Sequence, residues 1–574
     1  MGLGLLAFAL WVEQGAKAGD APDLVALGAN EGRMAEVIRR YASDRDVLGR
    51  KYPLELSPER ATRMRGFTES WLKALDAMPF EPLDVDERVD WVRFRSYLVH
   101  EAKGGALDAK RQAEMAPLIP FASTLTGLEE ARLRMEAVDP EKASARLTEI
   151  AAMVRKASEG LEKLSPKPSR TVANRAVNAV NGLRRATKDW FEFYDGYDPV
   201  FTWWMATSYA DLDKALADYA AGVRQKMVGI DPSDKNAIIG DPIGREGLLA
   251  ELDYEMIPYT PEELIQMAQK EFAWCDVEVR KASRDMGYGD DWHAAMEKVK
   301  TDHVAPGKQP QTIRDMALEA IDFVKKRDLV TIPPLAEESW RMEMLSPESQ
   351  LVSPFFLGGE EILVSFPTNT MTEAQKQMSM RGNNVHFAHA TVFHELIPGH
   401  HLQGFMAERY RPYRQLFYTP FLVEGWALYW ELRMWDMGFH KTPEDRMGAL
   451  FWRMHRCARI ILSLKFHLGE MTPAECIDFL VDRVGHERAN AEAEVRRWFR
   501  GDYGPLYQVG YLTGGLQLRA LHHELVDSKR MTDKQFHDAV LKENTMPIEM
   551  IRASLTRTKL SKSFAPQWRF YPLP

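Results

Sequence analysis

Apolar positions recur at a helical spacing along most of the chain. From Asp23 to about Asp328 an apolar residue returns roughly every three to four positions, the period of a helix that buries one face. Leu450–Phe536 shows the same pattern later in the chain. The pattern predicts a mainly α-helical fold, and its longest periodic stretches are Pro58–Ala77, Glu129–Leu164, Ser169–Tyr194, Tyr209–Val228 and Thr260–Met286.

Short capping signals predict where three helices begin. Thr260, Thr442 and Thr472 are each followed by proline, with an acidic residue three positions after the threonine. The threonine side chain can accept a hydrogen bond from a free amide of the first turn, proline suits that turn, and the acidic side chain reaches back. We therefore predict helix N-termini at these threonines.

The helical pattern is interrupted between Ile332 and Thr370, where prolines are frequent. Glu361–Phe366 is the best strand candidate in the sequence, and with Pro354–Gly359 it is expected to form a small β-hairpin or sheet near the active site. An exposed strand edge there could bind an extended peptide through main-chain hydrogen bonds. The alternative is that the segment only covers one flank of the core.

The stretch Phe393–Gln403 concentrates metal-binding residue types. In the usual HExxH motif two histidines four residues apart on one helix bind zinc, and the glutamate activates water. Here Pro398 stands where the second histidine is expected, and the next histidines are His400 and His401. The residues form either a zinc site or a polar pocket without metal.

Helix geometry narrows the choice of the second ligand. On a regular helix His400 points away from His394, and His401 lies about 10 Å further along the axis, too far to share an ion. A bulge at Ile397–Gly399 would return His400 to the face of His394, because proline cannot donate the helical hydrogen bond and glycine tolerates unusual dihedrals. We therefore expect His394 and His400 to be ligands, with His401 as the alternative.

A second helix is expected to supply the third ligand. Glu424 lies 24 residues after His400, among apolar and aromatic residues where an unpaired carboxylate would be costly to bury. Glu431 lies two helical turns later and shares the face of Glu424. It is either a hydrogen-bond partner of a ligating histidine or an ordinary surface carboxylate.

Four further residues are candidates for contact with substrate. Tyr511 could donate a hydrogen bond to a developing oxyanion, or could be a packed core tyrosine. His386 and His389 share a helix face and could line the cleft, although a structural role is also open. Arg497, in a basic cluster with Arg496 and Arg500, could bind a substrate carboxylate or form helix-face ion pairs.

These motifs resemble those of known zinc peptidases. His-Glu followed by a further histidine and a later helical glutamate is similar to the gluzincin class. The set HELIPGHH at His394–His401, EGWALYWE at Glu424–Glu431, and Pro505 with Tyr511 and Gly514 more closely resembles a large bacterial family labelled a domain of unknown function. That resemblance implies a mainly helical, metallopeptidase-like fold with a deep cleft. The family often has glutamine two residues after the late proline, where this chain has Tyr507.

No repeat and no long linker divides the chain. By pattern we separate a possible signal or other N-terminal segment at residues 1–20, a helical region at 21–330, and a catalytic region at 331–574. The two larger parts are expected to form one cleft.

Composition restricts the partners. A net charge of −9 with pI near 6.0 argues against a nucleic-acid partner. The three cysteines, Cys275, Cys457 and Cys476, lack the CxxC spacing of a cysteine zinc site.

The N-terminus carries a short apolar run. Leu3–Val12 has the length of a signal-peptide core and is too short to span a bilayer, so we expect no integral membrane segment. Ala16–Ala18 resembles a cleavage site, although no Lys or Arg precedes the run. We expect a periplasmic or secreted protein; a cytoplasmic protein with a buried or frayed N-terminus is the alternative.

The residues together predict a zinc-dependent hydrolase of short peptides. His394, His400 and Glu424 would hold one zinc ion, Glu395 would take a proton from water, and Tyr511 would stabilise the oxyanion. A zinc hydrolase of a non-peptide amide or ester, and a non-catalytic protein stabilised by a metal, are the alternatives.

Overall fold

The computed structural model describes residues 32–231, 234, 237–350, 358–365, 367–499, 501 and 503–573. Most of these residues are helical, which confirms the predicted mainly α fold. The α-helices are α1 (Arg33–Lys51), α2 (Pro58–Ala77), α3 (Val85–Met115), α4 (Ala122–Leu133), α5 (Pro140–Gly160), α6 (Arg170–Tyr194), α7 (Pro199–Val223), α8 (Gly244–Tyr254), α9 (Pro261–Asp285), α10 (Trp292–Thr301), α11 (Gln309–Lys326), α12 (Pro334–Ser339), α13 (Pro347–Gln350), α14 (Glu373–Gly382), α15 (Val385–Glu395), α16 (His400–Ala407), α17 (Pro420–Asp436), α18 (Pro443–His467), α19 (Pro473–Phe479), α20 (Arg488–Phe499), α21 (Tyr507–His522), α22 (Asp533–Lys542) and α23 (Ile548–Leu555).

Local capping sets many helix boundaries. The predicted starts at Thr260, Thr442 and Thr472 are confirmed, since each threonine side chain accepts a hydrogen bond from the amide three residues later. The periodic stretch Glu129–Leu164 does not form a single helix. The chain forms α4 and α5 there, because Asp139 caps a new helix that begins at Pro140.

Two short strands form the sheet of the described residues. β1 (Arg341–Met344) pairs with β2 (Glu361–Val364) in parallel, with Arg341 opposite Glu361. The strand prediction is confirmed as far as Val364, and the strand belongs to a short sheet, in which its described partner is β1. Residues 351–357 and 366, which include most of the other expected strand, lie outside the described residues.

Three apolar cores hold the helices together. One combines α1–α3 with α15–α17 and the C-terminal helices, and a second combines α9 and α10 with α15, α17, α18 and α21. The third lies among α4–α7 in the N-terminal region. The regions 21–330 and 331–574 therefore share two of their cores. None of the described helices is long and apolar enough to cross a membrane.

Glycines allow α17 and α21 to approach each other closely. A Cβ added at Gly425 would lie 2.7 Å from the Cα of Gly514, and one added at Gly514 would lie 1.8 Å from the carbonyl oxygen of Phe421. Only residues without a side chain fit at such a contact. The contact brings the N-terminal turn of α21, with Tyr507, against Glu424 of α17.

A buried carboxyl lies beneath the start of α17. Glu255, just after α8, accepts a hydrogen bond from the hydroxyl of Thr419, the residue that caps α17. Burial raises the pKa of Glu255 to about 7, although the positive charge of Arg93 opposes the shift. Between about pH 4.5 and 7 the folded protein therefore retains a proton that the unfolded chain has released, so this group lowers stability as pH rises.

We expect Gly514→Ala to destabilise the protein by about 3 kcal/mol, because its Cβ would force α17 and α21 apart. Urea unfolding would measure this loss. Gly66→Ala is the matched control, since Gly66 lies within α2 and an added Cβ meets no atom within 4 Å. The control should be neutral or more stable by up to about 1 kcal/mol. Equal stability of the two variants would contradict the close contact.

We expect Glu255→Gln to remove part of the pH dependence of stability. Relative to wild type, the variant should gain up to about 3 kcal/mol in unfolding free energy between pH 5 and pH 8, because only the wild type must ionise a buried carboxyl. Urea unfolding at both pH values gives the comparison. A difference between the two proteins that does not change with pH would show that Glu255 titrates normally.

Candidate metal centre

The HELIPGHH sequence forms two helices separated by a sharp turn. α15 ends at Glu395 and α16 begins at His400, so the expected bulge within a continuous helix is wrong. A Cβ added at Gly399 would lie 1.8 Å from the carbonyl oxygen of His394, which shows how tightly the chain folds back. The indole of Trp426 on α17 donates a hydrogen bond of 2.9 Å to the carbonyl oxygen of Pro398. This contact ties the turn to the helix that carries Glu424.

The turn brings His394, His400 and Glu424 together. The two imidazole rings are 4.8 Å apart between centroids. The Oε2 atom of Glu424 lies 3.9 Å from Nε2 of His394 and 3.1 Å from Nε2 of His400. One potential ligand atom from each residue lies within 4.8 Å of the other two. Tetrahedral ligands about 2.1 Å from zinc are about 3–4 Å apart, so this spacing suits one ion.

His401 points elsewhere. Its side chain is buried, and its Nε2 lies 2.6 Å from the carbonyl oxygen of Ala336 on α12. Adjacent residues of a helix point about 100° apart, so His400 and His401 lie on different sides of α16. The geometry favours His400 over His401 as a ligand, as the sequence predicted, while metal binding itself stays a prediction.

Glu424 has an acceptor atom without an adequate donor. Its Oε1 accepts a hydrogen bond from the hydroxyl of Tyr507. Its Oε2 is buried and accepts no hydrogen bond from the described residues. His400 is close to Oε2, but its N–H is not aligned for a hydrogen bond. Burial raises the pKa of Glu424, yet attraction to His400 and His394 outweighs it and the net pKa is lowered. Burial likewise lowers the pKa of His400, and Glu424 reverses that shift. A buried, ionised oxygen that lacks a donor suits a cation.

Glu431 lies against the first histidine. Its Oε1 lies 2.7 Å from Nδ1 of His394 and 3.1 Å from Nη2 of Arg456. Burial raises the pKa of Glu431, but the charge of Arg456 and the contact with His394 lower it overall. A proton on Nδ1 leaves the lone pair on Nε2, the atom that faces Glu424. Glu431 is thus buried beside His394, and the alternative of a surface carboxylate is wrong.

A cavity of about 730 Å³ opens onto these residues. Pockets of about 300–1,000 Å³ typically hold small ligands. His394, Glu395, His400 and Glu424 line one part of it, while tyrosines and arginines of α18, α20 and α21 line another. The described lining residues all lie between Gly358 and Thr545, and none of the described residues of region 21–330 is among them. A cleft formed by both regions stays a prediction.

Glu395 and Tyr511 occupy positions from which they can reach a ligand. The main chain before β2 lies against Glu395, since a Cβ added at Gly358 would be 2.5 Å from its Cα. Tyr511 is buried, and its ring lies 6.4 Å from the ring of His394 and nearly parallel to it. Its hydroxyl has no hydrogen-bond partner within the described part of the chain, and burial raises its pKa.

His386 and His389 are not among the described residues that line the cavity, so the geometry favours the structural role over the cleft-lining one. Nδ1 of His386 lies 2.8 Å from Asp445 of α18. His389 stacks on Phe439 at 4.6 Å, and its Nε2 lies 3.4 Å from Glu319 of α11. Burial lowers the pKa of His389. Both side chains leave α15 on the sides that pack against other helices.

Three arginines line the cavity among the described residues, and two of them are not marked by any motif of the sequence. Arg497 lines the cavity as one of its predicted alternatives requires, while Arg500 lies outside the described residues. Arg456 and Arg459 of α18 also line it. The available signal was their position in α18, where arginines recur every three residues at 453, 456 and 459 among apolar residues. An arginine row on a buried helix indicates ionic partners inside the fold.

We expect His400→Ala to lose its metal, because it removes one of three converging ligand atoms. Elemental mass spectrometry on purified proteins should find about one zinc per chain in wild type and much less in the variant. His401→Gln is the adjacent control and should retain zinc, since His401 contacts a backbone oxygen outside the site. Zinc lost only in the His401 variant would reverse the ligand assignment.

Comparisons with other proteins identify a family and a fold. No curated protein matches the sequence. The structure is similar to that of a "putative lipoprotein of unknown function" from Shewanella oneidensis, with a TM-score of 0.68 and 18% identity over 92% of this chain and 100% of that chain. It is also similar to a "putative lipoprotein" from Colwellia psychrerythraea, with a TM-score of 0.55 and 15% identity over 91% of this chain and 98% of that chain. At these identities the likeness concerns the fold alone.

The family match covers most of the chain. The bacterial family described as "Bacterial protein of unknown function (DUF885)" matches residues 47–555, a range that contains every residue of the candidate metal centre. The expected resemblance to a bacterial family of unknown function is confirmed, and the chain belongs to DUF885.

Proposed function

We propose that the protein is a zinc-dependent hydrolase that cleaves peptide bonds in short peptides. The observation that carries the proposal is the convergence of His394, His400 and Glu424 at the wall of a cavity that Glu395 also lines. A purely structural metal site is usually closed by four protein ligands, whereas a catalytic zinc has three and one open position. Three candidate ligands beside an open cavity fit the catalytic arrangement.

The donor set is suited to zinc. Two neutral imidazoles and one carboxylate are a known combination in zinc hydrolases, and the donorless Oε2 of Glu424 gives the site its negative charge. A bound zinc ion would supply a Lewis acid that makes water reactive near neutral pH. Glu431 would hold His394 with Nε2 directed to the ion, through the 2.7 Å contact at Nδ1.

Glu395 is the candidate general base. It follows His394 directly, lines the cavity, and is not one of the three converging ligand residues. A carboxylate in this place can accept a proton from the attacking water and deliver it to the leaving amine. Gly358 supports that role, because a larger residue there would collide with Oε2 of Glu395, to which its Cβ would approach within 2.3 Å.

Tyr511 is the candidate oxyanion donor. Its free hydroxyl and its position beside the ring of His394 allow it to donate to a carbonyl oxygen that becomes negative in the transition state. A phenol is protonated at neutral pH, and burial raises the pKa of Tyr511 further, so its hydroxyl can act as a hydrogen-bond donor. Burial within the cavity wall also holds the ring in one orientation.

Substrate size is inferred from the cavity, and cellular location from the similar structures. A cavity of about 730 Å³ has room for a few amino-acid residues and excludes a folded protein, so we propose short peptides. We also infer a location in the cell envelope, periplasmic or secreted, because both similar structures belong to putative lipoproteins. The apolar run Leu3–Val12, which prompted the same expectation, lies outside the described residues.

We expect Glu395→Gln to reduce peptide hydrolysis by about 10²–10⁴-fold while the protein keeps its zinc, because only the proton acceptor is lost. Tyr511→Phe should reduce kcat by about 10²–10³-fold. Mass spectrometry of a mixed peptide library measures cleavage, and elemental analysis measures zinc. Glu408→Gln, an exposed change at the end of α16, serves as the control and should retain full activity.

The outcomes separate the proposal from its alternatives. Undiminished cleavage by Glu395→Gln would remove Glu395 from the mechanism. Stoichiometric zinc without cleavage of any peptide by wild type would contradict peptide hydrolysis as the function.

A further inference from the structure

The arginines of the cavity wall outnumber their acidic partners. Arg456 pairs with Glu431 at 3.1 Å, and Arg459 pairs with Glu494 at 2.9 Å. Arg497 also lies nearest to Glu494, but its Nη1 is 3.8 Å away. Glu494 therefore serves two guanidinium groups, and it also accepts a hydrogen bond of 3.0 Å from the indole of Trp498.

Arg459 and Arg497 each have an N–H group without a hydrogen-bond acceptor among the described residues. Nη1 of Arg459 and Nε of Arg497 are buried and donate to no other described residue. The side chain of Arg459 is 3% exposed and that of Arg497 is 14% exposed, so bulk water does not compensate their charge. A buried guanidinium with free donors is costly unless an anion completes its partners. Both residues line the cavity, so a carboxylate that enters it lies beside two guanidinium groups that share the single carboxylate of Glu494.

The excess positive charge lies close to the metal centre. The guanidinium of Arg459 is 4.3 Å from the centroid of the Tyr511 ring, which is itself 6.4 Å from the ring of His394. One tyrosine ring thus separates the arginines from the metal ligands. An extended peptide advances at most about 3.3–3.6 Å per residue, so this gap corresponds to about one to three residues.

We propose that Arg459 and Arg497 bind the C-terminal carboxylate of the substrate, and that the enzyme therefore removes one to three residues from the C-terminus of short peptides. Guanidinium binds carboxylate through paired, charge-assisted hydrogen bonds, which suits a planar terminal carboxylate. This inference rests on the proposed peptidase function, because the carboxylate is placed relative to a scissile bond at the metal centre. Arg456 contributes positive charge but is already held by Glu431.

Three peptides test the proposal on the full-length, zinc-loaded enzyme. They are an N-acetylated hexapeptide with a free C-terminus, the same peptide as a C-terminal amide, and an amide with glutamate as its last residue. Mass spectrometry should show cleavage one to three residues from the free C-terminus. We expect kcat/KM for the free acid to exceed that for the plain amide by about 10- to 150-fold, the value of one charged hydrogen-bond pair. Efficient cleavage of the glutamate amide would assign the subsite to an acidic side chain and overturn the C-terminal assignment.

Variants test whether Arg497 causes the preference for a free C-terminal carboxylate. Arg497→Gln should bring the acid-to-amide ratio close to one, mainly through a higher KM, and Arg497→Lys should restore part of it. Arg496→Gln is the matched control, since Arg496 is adjacent on α20 but does not line the cavity. A ratio that survives in Arg497→Gln, or that falls equally in Arg496→Gln, would overturn the proposal.

A binding measurement keeps the inference separate from catalysis. Calorimetry with the Glu395→Gln variant compares the free acid with the amide, both with zinc and after removal of zinc. A preference for the acid that persists without zinc and is lost on adding Arg497→Gln supports the subsite, even if wild type cleaves no peptide. A preference that requires zinc and ignores Arg497 would mean that the carboxylate binds the metal, which overturns the proposal.

Discussion

The contact between α17 and α21 is the constraint on which the candidate site depends. Gly425 and Gly514 let the two backbones meet without intervening side chains. Because α17 carries Glu424 and Glu431 while α21 carries Tyr507 and Tyr511, helix separation there would move carboxylates and phenols apart together. Fully buried aromatic residues on α17, Trp426, Tyr429 and Trp430, pack on its other sides and hold its rotation. A candidate metal ligand placed in this way is as rigid as the core itself.

The charges around the site form one continuous buried network. Glu431 connects His394 with Arg456, and Arg456 and Arg459 both lie over the ring of Tyr511. Glu494 and His455 continue the network behind Arg459. Each charge is costly to bury alone, so the network stays folded only while its members compensate each other. Two kinds of group have no hydrogen-bond partner among the described residues. They are Oε2 of Glu424, beside the candidate metal ligands, and guanidinium donors of Arg459 and Arg497, beyond Tyr511. An ion or a ligand would complete each of them.

Much of the fold could be predicted because local signals decide it. The capping threonines and the period of α2 act within a few residues, so their effects are visible in the sequence. The choice of His400 could be predicted because Pro398 and Gly399 favour an interruption of the helix, and such an interruption can return His400 to the side of His394. The form of the turn could not be predicted, since it depends on Trp426, which is distant in sequence and holds the carbonyl of Pro398.

The remaining differences have the same cause, namely contacts between distant residues. Strand pairing at β1 and β2 is non-local, so the sequence could locate Glu361–Val364 but not choose its partner or direction. His386 faces α18, where it contacts Asp445. His389 faces α11, where it contacts Glu319. Neither contact can be seen in the sequence, because the partners are distant along the chain. Arg456 and Arg459 carried no motif, and only the packing of α18 against α17 and α21 shows that they are part of the cavity wall.

Under the proposed function, the metal centre and the arginine pair would be two anchors in one cavity, and together they would orient a flexible peptide. A metal centre alone fixes one carbonyl group and leaves the chain free to rotate about it. A guanidinium pair beyond Tyr511 would fix a second point, and two fixed points leave the scissile bond little freedom. Tyr511 lies between the anchors, next to the ring of His394 and under the guanidinium of Arg459. Its hydroxyl would therefore reach the carbonyl oxygen of the scissile bond only in peptides whose C-terminal carboxylate lies one to three residues beyond that bond. The distance from the scissile bond to the C-terminus would then affect the rate of hydrolysis.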